Sequence, residues 1–168
     1  MTDTGVLVAK GTKIYISPNV HDTDIDAMTD ANAILEYEAI TGWLQIEDVT
    51  SYGEFGAQSE LITHMPVDTG VVNKYKGTTN YGQISLQMAR RTAATGQAKL
   101  IEAQKSLQSY DFKVEYSDAD YDGITTGTVQ YFAGKVMSYT NNVGQVNNVI
   151  QAAATIEIDG RFLEVEAT

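Results

Sequence analysis

The chain has 168 residues, of which 43% are hydrophobic and 20% charged. That is enough for one domain with a single sizeable core, and too apolar for an intrinsically disordered segment. Twenty-two Asp and Glu stand against eleven Lys and Arg, for a formal charge of −11, which argues against a surface that wraps nucleic acid by neutralising phosphates. With no cysteine and only His21 and His64, disulfides, thiolate metal sites, cysteine nucleophiles and most imidazole chemistry drop out. No apolar run approaches the roughly 20 residues of a membrane span. Met1 to Lys10 lacks the charged and apolar regions of a secretory signal, so synthesis in the cytoplasm is the expectation. The composition predicts a soluble, globular, non-enzymatic protein that takes up no cofactor, metal or membrane.

The charge is segregated. Residues 1–60 carry 11 acids and 2 bases, residues 61–110 carry 2 and 6, and residues 111–168 carry 9 and 3, giving −9, +4 and −6. A basic centre between acidic flanks can present surfaces of opposite sign, as head-to-tail self-association needs, although a solvated surface can also acquire such a bias.

Strand patterns dominate the chain. Gly11-Thr-Lys-Ile-Tyr-Ile-Ser17 predicts a first strand that stops at Pro18. Residues 18–42 form a long acidic connection in which Met28, Ala31, Ile34 and Leu35 have helical spacing, while 33–40 could equally be a strand. From Trp43 the chain reaches Gly53-Glu-Phe-Gly-Ala-Gln-Ser-Glu60, where Phe55, Ala57 and Leu61 alternate with Glu54, Gln58 and Glu60. Residues 64–80, with Pro66, Gly70, Gly77 and the Lys74-Tyr75-Lys76 run, predict a long loop or an extended hairpin tip.

Residues 81–90 give the cleanest period of two: Ile84, Leu86 and Met88 on one side, Gln83, Ser85 and Gln87 on the other. Between residues 93 and 108 the period becomes 3.6, predicting a helix that buries Leu100, Ala103 and Leu107 and is capped by Thr92 or Thr95. A strand over 111–117 follows, then an acidic turn over 118–123 and a long strand over 125–139 with an irregularity at Gly134. After a turn at 141–144, Ile150, Ala152, Ala154, Ile156 and Ile158 share one strand face, and 161–165 can add a last strand. The fold class is mostly β, an antiparallel sandwich or barrel with one flanking helix. Two long hairpins, 47–91 and 124–159, each have an apolar and a polar face.

Catalytic and metal motifs fare poorly. Asp118-Ala-Asp-Tyr-Asp-Gly123 opens like a calcium loop, but Val129 stands where the bidentate Glu belongs and strands flank it. His21-Asp-Thr-Asp-Ile-Asp26 has the spacing of many surface loops. No G-x-G-x-x-G, Walker loop or G-x-S-x-G is present. The pairs Glu47/Asp48 and Glu54/Glu60 could nominally hydrolyse a glycosidic bond, but polar strand faces carry such pairs routinely. The ten tyrosines fit β structure and subunit contacts.

The order of features resembles the tail tube, or major tail, proteins of lambda-like bacteriophages with long non-contractile tails (siphophages). The resemblance is carried by Gly11-Thr-Lys-Ile-Tyr15, by Trp43 with Asp48-Val-Thr50, by Gly53 to Glu60, and by Lys76-Gly77 followed by Asn80 to Leu86. It continues through Gly96-Gln-Ala-Lys-Leu100, Phe132-Ala-Gly-Lys-Val-Met-Ser138 and the closing stretch 148–160. The acidic 18–42 segment does not align with the family. The resemblance implies a β-sandwich protomer over residues 1–168, with an N-terminal arm (1–10), a variable acidic loop (18–42) and a stacking loop (64–80). It also implies hexameric rings stacked into a virion tube, with tape-measure, tail-terminator and tail-tip proteins as partners and genomic DNA passing through without specific binding. Under that reading Glu54, Gln58, Glu60, Gln83, Ser85, Gln87, Gln151, Thr155 and Glu157 would face the lumen. Lys74, Tyr75 and Lys76 would reach an acidic patch of the next ring drawn from residues 1–60. The rival readings are the tube protein of a contractile tail or type VI secretion system, a monomeric β-sandwich binding module, and an acid-dependent hydrolase.

Overall fold

The computed structural model describes residues 9–118 and 126–168. Nine strands and two helices follow in order: β1 (Lys13–Val20), α1 (Asp30–Ala39), β2 (Leu44–Gln45), β3 (Val49–Ser51), β4 (Gln58–His64), β5 (Asn73–Asn80), β6 (Gln83–Ala89), α2 (Thr95–Lys105), β7 (Tyr110–Glu115), β8 (Val129–Asn142) and β9 (Gln151–Val165). Seven strands form one antiparallel sheet in the order β2-β1-β7-β8-β9-β6-β3, and β4 and β5 form a separate ladder.

The seven-stranded sheet curls until its edges meet. β2 pairs with β1 and β3 with β6, and only residues 46–48 separate β2 from β3. The bridge continues both ladders: the Ile46 amide donates to the Ile14 carbonyl at 2.8 Å, and the Ala89 amide donates to the Asp48 carbonyl at 3.0 Å. Asp48 makes the corner with φ +55°, a conformation that Asp tolerates better than most side chains. One bent stretch, 44–51, thus closes a barrel and removes its open edges.

Inside the barrel lie Ile14, Ile16, Ile84, Leu86, Met88, Phe112, Phe132, Ala154 and Ile156, all at most 1% exposed. They are the alternate residues of their strands, as a period of two requires. Helix α2 packs on β8, β1 and β2 through Gly96, Gln97, Leu100 and Ala103. Leu107 lies beyond its end, 92% exposed. Neither Thr92 nor Thr95 caps it: the N-cap is Ala94, which makes no side-chain bond, and the Thr95 amide donates to Glu47 Oε1 at 3.1 Å. Gln97, 1% exposed, ties the helix to the 46–48 bend and to the end of β6. Its Nε2 donates to the carbonyls of Glu47 (3.1 Å) and Ala89 (2.8 Å), and its Oε1 accepts from the Arg91 amide (3.1 Å).

The acidic connection settles as a helix on the outside of the barrel. Ala33 and Tyr37, spaced i,i+4, are its buried residues, whereas Leu35 points outward, 61% exposed. Tyr37 stacks on Tyr131 at 5.1 Å between ring centroids and, with Ile25 and Leu163, makes a second small core. Arg161 fastens this cover to β9. Its Nη1 bonds Asp30 Oδ1 at 2.7 Å, and its Nη2 donates to the carbonyls of Ile25 (2.8 Å) and Met28 (2.6 Å).

Four boundaries differ from expectation for identifiable reasons. β1 runs through Pro18 to Val20, because its register with β7 shifts between Ile16 and Val20, where a missing amide costs no ladder bond. Gly134 is itself in register, opposite Tyr110 and Ile158, and the two shifts of β8 against β9 fall on either side of it. Residues 161–165 are the continuation of β9, with Val165 opposite Val129. Half of 64–80 is strand β5, so the hairpin-tip alternative holds and only 65–72 is loop. The calcium-loop motif lies outside the described residues except for Asp118, whose carboxylate accepts from the Thr128 amide (2.8 Å) and hydroxyl (2.6 Å). Residues 1–8 of the expected N-terminal arm also lie outside them.

Gly96 separates two physical arguments. Alanine is the better helix former by about 1 kcal/mol, but a Cβ at Gly96 would lie 2.0 Å from the Gln45 carbonyl oxygen. Sterics dominate at that distance, and Gly96→Ala should lower the unfolding free energy in urea by about 1–3 kcal/mol; a more stable variant would show that α2 is not pressed on β2.

Candidate functional site

Strands β6, β9 and β8 lie side by side with one face on the core and the other open. Gln83, Ser85 and Gln87 stand opposite Glu157, Thr155 and Ala153, and Ala89 stands opposite Gln151. On the other flank of β9, Lys135, Ser138, Thr140 and Asn142 stand opposite Glu157, Thr155, Ala153 and Gln151. The result is a three-strand surface of amides and hydroxyls whose charges gather at one end. There Lys135 faces Glu157 and pairs with Asp159. Asp159 also accepts from the Ser109 hydroxyl at 2.8 Å; the bonds from Lys135 and Ser109 hold its carboxyl below the usual range. The same face of β9 continues to Arg161, Leu163 and Val165, where α1 and the preceding turn cover it.

Six of the nine expected channel residues therefore share one surface: Gln83, Ser85, Gln87, Gln151, Thr155 and Glu157. The other three sit apart from it. Gln58 and Glu60 are carried by β4 in the separate ladder. Glu54 borders a cleft with Phe55, Tyr81, Tyr116 and Phe162. Phe55 packs on Phe162 at 5.7 Å, whereas Leu61 is 61% exposed, so the apparent apolar face Phe55-Ala57-Leu61 divides between the barrel and the arm.

The β4–β5 ladder is a projecting arm. Leu61, Ile62 and Thr63 stand opposite Lys76, Tyr75 and Lys74, so the two lysines share a face with Leu61 and Thr63 while Tyr75 and Ile62 occupy the other. Ser59 and Thr79 hydroxyls bond at 2.9 Å across the ladder. Ile62 (49%), Met65 (60%), Val67 (103%), Val71 (62%) and Tyr75 (54%) are all exposed. Sequence periodicity missed this surface, because a strand that is wet on both faces carries apolar residues just as a half-buried strand does. The signal lay in the turn residues: the Gly70 amide donates to the Pro66 carbonyl at 2.9 Å and marks the hairpin tip.

The acidic candidates take structural roles. His21 Nδ1 meets Asp111 Oδ1 at 2.5 Å, with side chains 19% and 8% exposed, rather than turning to the carboxylates of its own loop. Glu47 holds the first amide of α2, and Asp48 pairs with Arg91 at 3.3 Å. Among the described residues no group of three His, Asp or Glu is placed to hold a metal ion.

The model of the lambda phage tail tube protein family matches residues 22–163, and the chain belongs to that family, which makes it a component of the phage tail. No curated protein matches the sequence. In three dimensions it is similar to a chain of the anti-feeding prophage baseplate, with 8% identity, TM-score 0.68 and 98% of each chain covered. It is similar to a chain of the sheath–tube complex of the extracellular contractile injection system PVC in the extended state, with 11% identity, TM-score 0.63 and 96% and 92% coverage. It is also similar to the SPP1 tail tube protein, with 10% identity, TM-score 0.61 and 96% and 80% coverage. At these identities the likeness establishes the fold.

The His21–Asp111 bond ties the start of the acidic cover to β7. The bond to Asp111 raises the His21 pKa above its ordinary value against the lowering effect of burial, and the nearby Asp22 and Asp159 add to the rise. The stabilisation is complete below the unfolded-state value of about 6.5 and is lost as pH climbs through the higher folded value. Unfolding free energy measured from pH 6 upward should thus decline in wild type relative to His21→Gln; parallel curves would show that the pair does not couple to folding.

Proposed function

We propose that the chain self-assembles into hexameric rings that stack into the hollow tail tube of a long non-contractile tail, a conduit for genome delivery. The observation that carries this reading is the β6–β9–β8 surface: broad, polar and nearly uncharged, on the back of a well-filled barrel. Six such surfaces side by side would close an inner wall. Gln83, Ser85, Gln87, Gln151, Thr155 and Glu157 would then face the lumen, with Glu54, Gln58 and Glu60 at its rim.

Duplex DNA carries one negative charge per about 1.7 Å, and each cation that neutralises a phosphate adds to binding. A wall of amides, hydroxyls and a carboxylate offers no such cation, so DNA is passed along and not held. Lys135, whose ammonium lies beside that face, is paired with Asp159.

The arm supports the stacking half of the proposal. An isolated two-stranded hairpin is marginal in water, and this one exposes apolar side chains on both faces, as expected for an element completed by another subunit. Lys74 and Lys76 would meet acidic residues of the first 60 in the next ring, with Tyr75 packing from the other face of the arm. Arm and acceptor are different patches, and such a heterologous contact propagates. The long non-contractile assignment rests on the family match, since the barrel itself is shared with contractile systems. Tape-measure, terminator and tip proteins would meet the tube at its interior and two ends.

Negative-stain microscopy of the purified chain should show tubes built of six-fold rings; a monomer at high concentration would exclude the reading. Gln83→Lys combined with Gln87→Lys and Gln151→Lys should leave tube formation intact. Phage assembled with this variant should deliver DNA at least about tenfold less well, because the added cations bind phosphate. Normal delivery through lysine-lined tubes would remove the lumen role from this face.

A further inference from the structure

We propose that the lysine face of the β4–β5 arm docks on the outward face of helix α1 in a second copy of the chain. The inference rests on the self-assembly reading above and names the acceptor that reading leaves open. Among the described residues the arm's ladder has no third strand, and Leu61, Thr63, Lys74 and Lys76 are all exposed, so its lysine face is an unpartnered sheet surface. On it Leu61, 61% exposed, stands opposite Lys76, and Lys74 follows two residues before on the same side. The two ammonium groups start about 7 Å apart, two strand residues. Neither has a carboxylate partner among the ion pairs of the described residues.

The acceptor must be acidic, and residues 14–73 supply eleven Asp and Glu without one Lys or Arg. The structure assigns internal roles to several of them. Asp30 bonds Arg161, Asp48 bonds Arg91, Glu47 holds the Thr95 amide, and Glu60 accepts from Thr78 on the arm itself. Glu36 and Glu38 are exposed on α1 and have no such partner among the described residues.

Their placement follows from the helix. Ala33 and Tyr37 are buried against the barrel, and at 100° per residue Leu35 falls nearly opposite them, with Glu36 and Glu38 on its two flanks. Leu35 is 61% exposed. The outer face of α1 is therefore one apolar side chain between two carboxylates, and the small residues Ala31, Asn32 and Ala39 beside it let a sheet approach closely. The arm offers the complement, one leucine next to two lysines. Leu61 would cover Leu35, and Lys74 and Lys76 would reach the flanking glutamates. Burying the two leucines together strengthens ion pairs that would contribute little if fully solvated.

Charge exchange between the two surfaces tests this on the full-length chain, with polymer mass measured by sedimentation and tubes counted by negative stain. Lys74→Glu with Lys76→Glu should raise the concentration needed for polymerisation by roughly tenfold or more, and so should Glu36→Lys with Glu38→Lys. Mixing the two variants should restore tubes, since each arm then finds an opposite-sign helix on the other protein, and the fourfold variant should assemble alone. If the arm variant fails to polymerise while the α1 variant behaves as wild type, the arm docks elsewhere, Asp22, Asp24 and Asp26 being the next acceptors. If neither the mixture nor the fourfold variant assembles, the pairing is wrong although arm-mediated stacking stands. A wild-type chain that forms no tube would remove the assembly reading itself.

Discussion

Strand β9 is the member on which the other elements depend. Its even-numbered residues from Ala152 to Ile158 fill the barrel, and it pairs along its length with β8 on one side and, over Gln151 to Glu157, with β6 on the other. Its odd-numbered residues cannot also be buried by the same core, so the chain needs two answers for them. Over Arg161 to Val165 the answer is a helical cover. Over Gln151 to Glu157 it is polarity: a strand face that stays in water and recruits matching amides and hydroxyls from both neighbours. The polar three-strand surface follows from that half-covered strand.

Closure of the barrel is the second constraint. The bend at Asp48 lets residues 44–51 serve as the edge partner of β1 and then of β6, which leaves the main sheet without a long free edge. The β4–β5 arm, whose two faces and edges all remain open, is then the place where another chain can be gained. The barrel, with its edges closed, and the arm, with its edges open, are therefore distinct parts of one chain.

Legibility in the sequence followed the same division. Where a strand has one dry and one wet side, as in 83–89 and 151–158, the period of two reads directly into burial. Helix α2 was visible through Leu100 and Ala103, although Leu107 extends the pattern past the true end at Lys105. The cover was ambiguous because its inward pair, Ala33 and Tyr37, is one small residue and one aromatic, a weak stripe beside the stronger-looking Leu35 and Ile34. The arm was hidden because exposed apolar residues such as Leu61, Ile62 and Tyr75 look, in sequence, like core residues. Corner positions were beyond periodicity altogether: nothing local to Asp48 indicates that two ladders meet there.

The capping of α2 has a kinetic meaning. Its first amide is held by a glutamate 48 residues earlier, and Gln97 binds the Glu47 carbonyl in the closing corner and the Ala89 carbonyl at the end of β6. A helix of 11 residues is too short to persist alone in water, and here even its N-terminus is supplied by distant chain. The helix therefore cannot serve as an early independent seed; it forms together with the barrel's closing corner, so the domain gains its helix and its last sheet edge in one cooperative step.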